Sequence, residues 1–124
     1  MQTQTHQHNF NIVTLAMAAQ SAVLKEVPRQ YALGWPTLVC KDGFRMSVQA
    51  GARHFSTPQV DNASYYTHVE LSCLSEECLA LAFYGDLDGD IFEDVPVQVV
   101  EAILKSHGGL DLPATVAYKK RLLN

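Results

Sequence analysis

The feature that most constrains the fold of this chain is a turn pair set between two apolar runs, in the segment LVCKDGFRMSVQA. Asp42-Gly43 is a dipeptide that supplies the positive φ angles of a two-residue type I′ hairpin turn. After the turn, apolar side chains occupy every second position, as in a strand with one buried face. These alternating residues are Phe44, Met46, Val48 and Ala50. The segment therefore predicts an antiparallel hairpin, whose apolar face must be covered by other elements.

Further strands are predicted downstream of the hairpin. The segment YYTHVELSCL alternates, with Val69, Leu71 and Cys73 on the inward face and His68 on the outward face. Residues 78–84 fit either a strand or a helix by periodicity, and the turns on both sides favour a strand. Because consecutive strands joined by short turns pair antiparallel, we expect a three- to four-stranded meander.

Helices are predicted on both sides of this meander in the sequence. Residues 11–27 carry apolar residues at helical spacing, and residues 95–107 form the predicted helix on the C-terminal side of the meander, followed by a last segment, residues 112–124, that can hold a short basic helix. The chain is therefore predicted to be an α+β protein, an antiparallel three- to four-stranded meander flanked by an N-terminal helix and a C-terminal helix. Residues 1–10 offer almost nothing to bury and are expected to form a disordered tail, which leaves residues 11–124 as a single domain.

A helix is also predicted over residues 95–107, directly after an acidic stretch. Asp94 suits the N-cap position and Pro96 suits the first turn. Glu101 and Lys105 are spaced to form an ion pair along one face of this helix. The helix would therefore begin where the acidic residues end.

Acidic residues are concentrated in the second half of the chain. Residues 61–111 carry eleven acidic residues against Lys105 alone, a net charge of −10 in a chain whose net charge is −4. Such a surface repels nucleic acid, so direct binding of DNA or RNA is not expected. A host protein with a basic, nucleic-acid-binding surface is the complementary partner. The acidic residues predicted to contact it are Asp86, Asp88, Asp90, Glu93 and Asp94, with Glu76 and Glu77 in the preceding turn.

Two neighbouring tyrosines, Tyr65 and Tyr66, complete the predicted contact residues. Tyrosine is favoured at interfaces because it offers a large contact area at a small entropy cost. The alternative is that Phe55 and one of the two tyrosines simply cover the end of the sheet. The sequence leaves both interpretations open.

The acidic stretch does not fit a calcium-binding loop. If Gly89 is the glycine of the sixth position, the first and twelfth positions fall on Tyr84 and Val95, which are not the ligands that such a loop requires. If Asp86 is placed first, the sixth position is Ile91, and the motif fails again. The stretch is therefore predicted to be a solvated turn or a contact surface without a metal.

The cysteines suggest a zinc or thiol site only weakly. Cys73 and Cys78, together with His54, His68 and Cys40, supply suitable residue types, but the four-residue spacing is loose for a zinc pair. An odd number of cysteines argues against a disulfide framework and for a reducing compartment. The chain also has no phosphate-binding loop, dinucleotide fingerprint or protease signature, so we expect no enzyme activity and no cofactor. A Cys/His metal-dependent enzyme is kept as an alternative.

Three blocks of the chain resemble a family of short proteins encoded by phages and prophages. They are the hairpin DGFRMSVQA, the strand segment YTHVE and the helix segment VPVQVVEAILKSHGG, all within residues 36–109. Members of that family are mostly of unknown function, so the resemblance carries over no active-site residue. Small acidic phage proteins include anti-CRISPR proteins, which block host defence complexes by occupying their nucleic-acid-binding surfaces.

Together these patterns predict a small acidic phage-type or prophage-type interaction protein in the cytoplasm of the host cell. It would act as an anti-CRISPR-like inhibitor that binds a basic surface of a host protein. No apolar run reaches the roughly 18 residues of a membrane-spanning helix, so no membrane partner is expected. The alternative is a self-associating accessory or structural protein of a phage or mobile element, a homodimer formed by edge pairing of strands or through the uncovered sheet face.

Overall fold

A computed structural model of the protein describes residues 11–85 and 89–123. Its centre is a four-stranded sheet in which every pair of neighbouring strands is antiparallel and the strands follow chain order. The strands are β1 (Thr37–Val39), β2 (Arg45–Gln49), β3 (His68–Ser72) and β4 (Ile91–Pro96). The predicted antiparallel meander of an α+β fold is confirmed. The predicted disordered tail, residues 1–10, lies outside the described residues.

Three helices accompany the sheet: α1 (Ile12–Leu24), α2 (Val97–Ser106) and α3 (Leu112–Leu122). The helix α1 starts after Asn11, whose side chain accepts a hydrogen bond from the backbone N–H of Thr14. Asp111 caps α3 in the same way, through the backbone N–H of Ala114. The predicted helices on the two sides of the meander are confirmed, as α1 and as α2, and the last segment also forms a helix, α3. Within the described ranges, none of these helices is long and apolar enough to cross a bilayer.

The core lies between one face of the sheet and the helices. Met46 and Leu38 face each other across β1 and β2, and Val48 faces Leu71 across β2 and β3. All four are fully buried, and they pack in one cluster with buried residues of α1 and α2. Burial of side chains of this size stabilises the fold by roughly 1.5–3 kcal/mol each. The structure therefore confirms the alternation predicted for the strand after the turn, because buried and partly buried residues alternate along β2.

The turn between β1 and β2 differs from the predicted type I′ turn. Only Gly43 has a positive φ, at 95°, whereas Asp42 does not. The backbone N–H of Gly43 donates to the carbonyl of Cys40, and the N–H of Cys40 donates to the carbonyl of Phe44. This is the longer hairpin connection in which a glycine in the left-handed region follows an ordinary turn. The Asp42 side chain accepts a hydrogen bond from the backbone N–H of Phe44, and this bond stabilises the turn.

The fourth strand is not where the sequence analysis placed it. Residues 78–84, predicted as a strand, contain a short 3₁₀ helix, Leu79–Leu81, followed by a turn. The strand is β4, which starts inside the acidic stretch and pairs Val95 with Val69. The helix α2 consequently begins after Pro96, which acts as its N-cap without a side-chain hydrogen bond. Burial of Val95 against β3 outweighs the preference of the acidic residues for a turn.

The predicted roles of Asp94 and Glu101 in that helix are also wrong. Asp94 lies in β4 with φ at 47°, a left-handed conformation that aspartate tolerates, and its side chain accepts from the hydroxyl of Thr57. Among the described residues, no ion pair joins Glu101 to Lys105. The Glu101 carboxylate accepts a hydrogen bond from the backbone N–H of Ile12 instead. Both carboxylates therefore tie α2 and β4 to distant parts of the chain.

Backbone groups at both edges of the sheet are already hydrogen-bonded. On β1, the N–H of Val39 donates to the Thr115 hydroxyl at 3.0 Å, and the carbonyl of Val39 accepts from the N–H of Asp111 at 2.8 Å. On β4, the N–H of Glu93 donates to the carbonyl of Tyr84 at 2.9 Å. A second copy could pair with the sheet at these positions only by displacing α3 or residues 84–85. The expectation of dimerisation by edge pairing therefore has no support at these positions.

Candidate protein-binding site

A surface cleft of about 520 Å³ opens between the turn after β3 and the start of β4. The turn is fixed by two hydrogen bonds: the N–H of Ser75 donates to the carbonyl of Arg45, and the N–H of Arg45 donates to the Ser75 hydroxyl, both at 2.9 Å. These bonds join the turn to the first residue of β2. We call this concavity the acidic cleft. Its lining residues that matter here are Cys73, Glu76, Glu77, Cys78, Leu79 and Asp90.

Three of the predicted contact residues meet at the acidic cleft. Glu76 and Glu77 come from the turn after β3, and Asp90 comes from the segment that leads into β4. All three residues are exposed to solvent, and Glu76 and Glu77 form no ion pair with a described residue. Three carboxylates around one concavity concentrate negative potential there. The fold therefore brings together acidic residues that the sequence placed in two separate turns.

Two large apolar side chains stand exposed beside these carboxylates. Leu79, at the rim of the cleft, is 83 % exposed, and Phe83, next to the lining residue Ala82, is 97 % exposed. Leu81 between them is fully buried and anchors the 3₁₀ helix in the core. Because Leu81 faces inward, the residues two positions before and after it are turned toward solvent. Exposed apolar side chains of this size next to a charged rim are typical of protein–protein contact sites.

Glu93 and Asp94, the other described residues among the predicted acidic contacts, do not line the acidic cleft. Glu93 is half-buried in β4, and the Asp94 carboxylate accepts a hydrogen bond from the Thr57 hydroxyl at 2.9 Å. The backbone N–H of Asp94 also donates to the carbonyl of Phe55, so Asp94 fastens the loop before β3 to β4. Asp86 and Asp88 lie outside the described residues.

The two predicted contact tyrosines have different environments. Tyr65 is 65 % exposed, whereas Tyr66 is only 6 % exposed. The Tyr66 hydroxyl donates to the carbonyl of Val60 at 2.6 Å, and its ring meets the ring of Trp35 edge to face at 6.1 Å. Tyr66 is therefore a core residue that supports the end of the sheet, and its prediction as a contact residue is corrected. Tyr65 does not line the acidic cleft.

The cysteines and histidines are dispersed. Cys40 is 1 % exposed, and burial, followed by the charge of Asp42, raises the pKa of its thiol to about 11. Cys73 is exposed with φ at 53°, which corrects the prediction that its side chain faces the core. His54 bonds to the Glu70 carboxylate. Within residues 11–85 and 89–123, no three His, Cys, Asp or Glu residues are grouped so that they could hold a metal ion.

Leu79 and Phe83 are the site residues that sequence reasoning missed. The segment CLALAF places Leu79, Leu81 and Phe83 at alternate positions, which suits a half-buried strand as well as an anchored turn. The available signal was the acidic residues on both sides of the segment, at 76–77 and 86–94. That signal marks a surface location, but it does not reveal which of the three side chains is buried.

Comparisons of this chain with models of protein families, with curated proteins and with solved structures find no match. The chemistry of the site therefore rests on its own side chains. Carboxylates around a concavity, with a leucine and a phenylalanine at its margin, can bind cationic and apolar groups of another molecule without any covalent step.

Proposed function

We propose that this protein binds another protein through the acidic cleft and the adjacent Leu79 and Phe83. The partner surface would carry lysine or arginine side chains for the carboxylates and an apolar pocket for Phe83. The observation that carries this proposal is the almost complete exposure of Phe83, at 97 %, directly beside the carboxylate-lined cleft. A phenylalanine left in water gains roughly 1.5–3 kcal/mol when a partner buries it.

The acidic residues and the exposed apolar residues would contribute to binding in different ways. Aromatic anchors at the centre of an interface supply most of its affinity, whereas surrounding charges steer the encounter and select the partner. Glu76 and Glu77 would therefore act mainly on the association rate, which falls as salt screens their charge. Phe83 would act mainly on the lifetime of the complex. This division predicts different kinetic effects for the two sets of variants.

The partner class we propose is a host protein with a basic, nucleic-acid-binding surface. Two features support it: the net charge of −10 over residues 61–111, and the three sequence blocks that resemble phage and prophage proteins. By covering such a surface, the protein would prevent nucleic acid from reaching it, as an anti-CRISPR-like inhibitor does. It would act in the cytoplasm of the host cell.

The test is capture of partners from a bacterial lysate at low and moderate salt, with the wild type and two pairs of variants. We expect one nucleic-acid-binding protein to be captured at low salt and released as salt rises. Phe83→Ser should weaken its binding about tenfold or more, while Leu33→Ser, which changes a side chain that is 82 % exposed elsewhere on the surface, should not. Glu76→Gln combined with Glu77→Gln should slow association, while Glu26→Gln should not. Equal capture by all variants would refute the site.

Self-association is tested by the same Phe83→Ser variant. Because the sheet edges are occupied at Val39 and Glu93, the exposed side chains Leu79 and Phe83 are the surface tested for a homodimer. Light scattering of the pure protein measures its mass directly. A dimer that dissociates in Phe83→Ser would mean that a second copy occupies the site, and would overturn the proposal of a host partner.

A further inference from the structure

A second concavity, of about 410 Å³, lies between α1, the end of β2 and the loop that precedes β3. It shares no lining residue with the acidic cleft. We call it the His54 pocket. The lining residues that carry the argument are Met17, Gln20, Trp35, Arg53, His54 and Asp61.

His54 is held in one orientation by a buried carboxylate. Its Nδ1 lies 3.0 Å from Oε2 of Glu70, a residue that is only 9 % exposed. The other carboxylate oxygen of Glu70 accepts from the backbone N–H of Phe55 at 2.9 Å. Opposite an ionised carboxylate, which can only accept hydrogen bonds, the Nδ1 atom carries the hydrogen. The second ring nitrogen, Nε2, then remains for an outside group, and no described residue bonds to it.

Arg53, beside His54, supplies an uncommitted positive charge to the same pocket. The residue is exposed and forms neither an ion pair nor a hydrogen bond with a described residue. The opposite charge of Asp61 is also present, but Oδ1 of Asp61 accepts from the backbone N–H of Ala52 at 2.9 Å. A guanidinium offers a planar set of donors that matches carboxylate and phosphate oxygens. Arg53 therefore offers donors to an anion on the polar side of the pocket, which it shares with the Asp61 carboxylate.

Gln20 contributes an acceptor that lacks a partner. Its Nε2 donates to the carbonyl of Ala32 at 2.8 Å, which directs the amide, while its Oε1 is buried without a hydrogen bond within the described part of the chain. Buried polar atoms of folded proteins are nearly always paired, so this residue of the pocket lining departs from the usual pattern.

Trp35 and Met17 form the apolar wall of the pocket. The Trp35 backbone is held on both sides by the Gln49 amide, whose Oε1 accepts from the Trp35 N–H at 3.0 Å and whose Nε2 donates to the Trp35 carbonyl at 2.6 Å. The Trp35 ring is braced by Tyr66. Met17 of α1 adds a polarizable side chain that is 58 % exposed. Such a preformed wall suits a flat apolar body.

We propose that the His54 pocket binds a small organic anion with a planar body. Its carboxylate or phosphate would lie between Arg53 and His54, and its ring would lie against Trp35 and Met17. The placement of these groups around one concavity carries the proposal, which is independent of the protein-binding surface.

The single tryptophan of the chain makes this proposal directly testable. In a ¹⁵N-labelled sample, the one indole N–H signal reports on Trp35 alone. The probes are benzoate and phenyl phosphate, with benzamide as the uncharged ring and inorganic phosphate as the anion without a ring. We expect saturable shifts with benzoate or phenyl phosphate, and much weaker binding of the other two. Tighter binding of benzoate would indicate a carboxylate ligand, and tighter binding of phenyl phosphate would indicate a phosphate ligand.

Variants assign the binding to the pocket. Arg53→Gln changes an exposed side chain without partners, so the fold is retained, and we expect the dissociation constant to rise about tenfold or more. Arg29→Gln, an exposed arginine outside the pocket, should leave it unchanged. His54→Gln should also weaken binding, and its melting temperature shows whether the loop is intact. Absence of saturation with both aromatic anions up to about 10 mM, or equal weakening by Arg29→Gln, would overturn the proposal.

Discussion

The carboxylate of Glu101 in α2 lies 2.9 Å from the backbone nitrogen of Ile12, the first residue of α1, and accepts its hydrogen bond across 89 residues of sequence. The first N–H groups of a helix have no acceptor within the helix, and negative charge is favourable at that end. Ile12 is fully buried, so water does not replace this bond easily. Glu101 therefore both completes the start of α1 and fastens it to α2.

Removal of this carboxylate should destabilise the whole domain. We expect Glu101→Ala to lower the free energy of unfolding by about 1–3 kcal/mol, because it leaves a buried N–H unpaired. Glu101→Gln, which keeps an acceptor, should cost less. Urea denaturation followed by circular dichroism measures both. Lys105→Ala, an exposed change one turn later, should stay within about 0.5 kcal/mol of the wild type; an equal loss there would contradict the role of Glu101.

A second prediction concerns the Thr115 hydroxyl at the edge of β1. Thr115 is fully buried, and its Oγ1 accepts from the N–H of Val39 at 3.0 Å while it donates to the carbonyl of Asp111 at 2.9 Å. Thr115→Val keeps the shape and removes both bonds, so we expect a loss of about 1–3 kcal/mol in the free energy of unfolding. Thr115→Ser keeps the hydroxyl and should therefore retain most of the stability that Thr115→Val loses. If the valine and serine variants unfold at the same urea concentration, the hydroxyl does not stabilise this edge.

The cysteines should differ sharply in reactivity. Only a thiolate reacts readily, and burial raises the pKa of Cys40 to about 11, whereas Cys73 is exposed. We expect iodoacetamide at about pH 8 to modify Cys73 in the native protein and to leave Cys40 intact. Peptide mass spectrometry identifies the modified positions, and a urea-denatured sample shows that Cys40 can react once exposed. Native modification of Cys40 at the rate of Cys73 would contradict this prediction.

The Asp42 carboxyl should make stability depend on acidic pH. The N–H of Phe44 and then the His107 ring, whose Nδ1 lies 2.6 Å from Oδ2, lower the pKa of Asp42 in the folded protein. The unfolded chain therefore binds this proton more tightly. The stabilisation is complete above the ordinary carboxyl pKa, about 3.9, and is lost as pH falls through the lowered value.

Melting temperatures from neutral to strongly acidic pH test this directly in the wild type and in Asp42→Asn. The wild type should melt higher at neutral pH, and the difference should shrink as pH falls below about 4. A difference that stays constant over this range would show that the charge of Asp42 does not contribute to stability.

The sequence predicted the parts of the fold in which local pattern and burial agree. In β2, Met46 and Val48 alternate with polar residues because one face of the strand is buried, so the pattern could be recognised. In β4 the pattern fails, because only Val95 among its residues is wholly buried and a bulge interrupts the pairing between Val69 and Leu71. Pairing with β3 decides the conformation of β4, and no local signal in the acidic stretch reveals that partner.

The candidate site was predictable in charge but not in shape. Composition showed an acidic surface that includes Glu76, Glu77 and Asp90, because charged residues remain in contact with water wherever the chain places them. The exposure of Phe83 was not predictable, since it follows from the burial of Leu81 in a core built by distant residues. The same limit applies to Tyr66, whose burial depends on Trp35 and Val60.

The contacts of α3 also determine when a newly made chain can fold. Val116 packs on the cluster formed by Val23 and Val27, and Nζ of Lys120 lies 3.2 Å from Oε1 of Glu26. A ribosome releases residues 12–39 well before it has made residues 111–120. During that interval the end of α1 has no cover and the outer side of Val39 has no hydroxyl to bond. Completion of this domain therefore waits for translation of its last helix, and a nascent chain stalled before Asp111 would present apolar surface to chaperones and proteases.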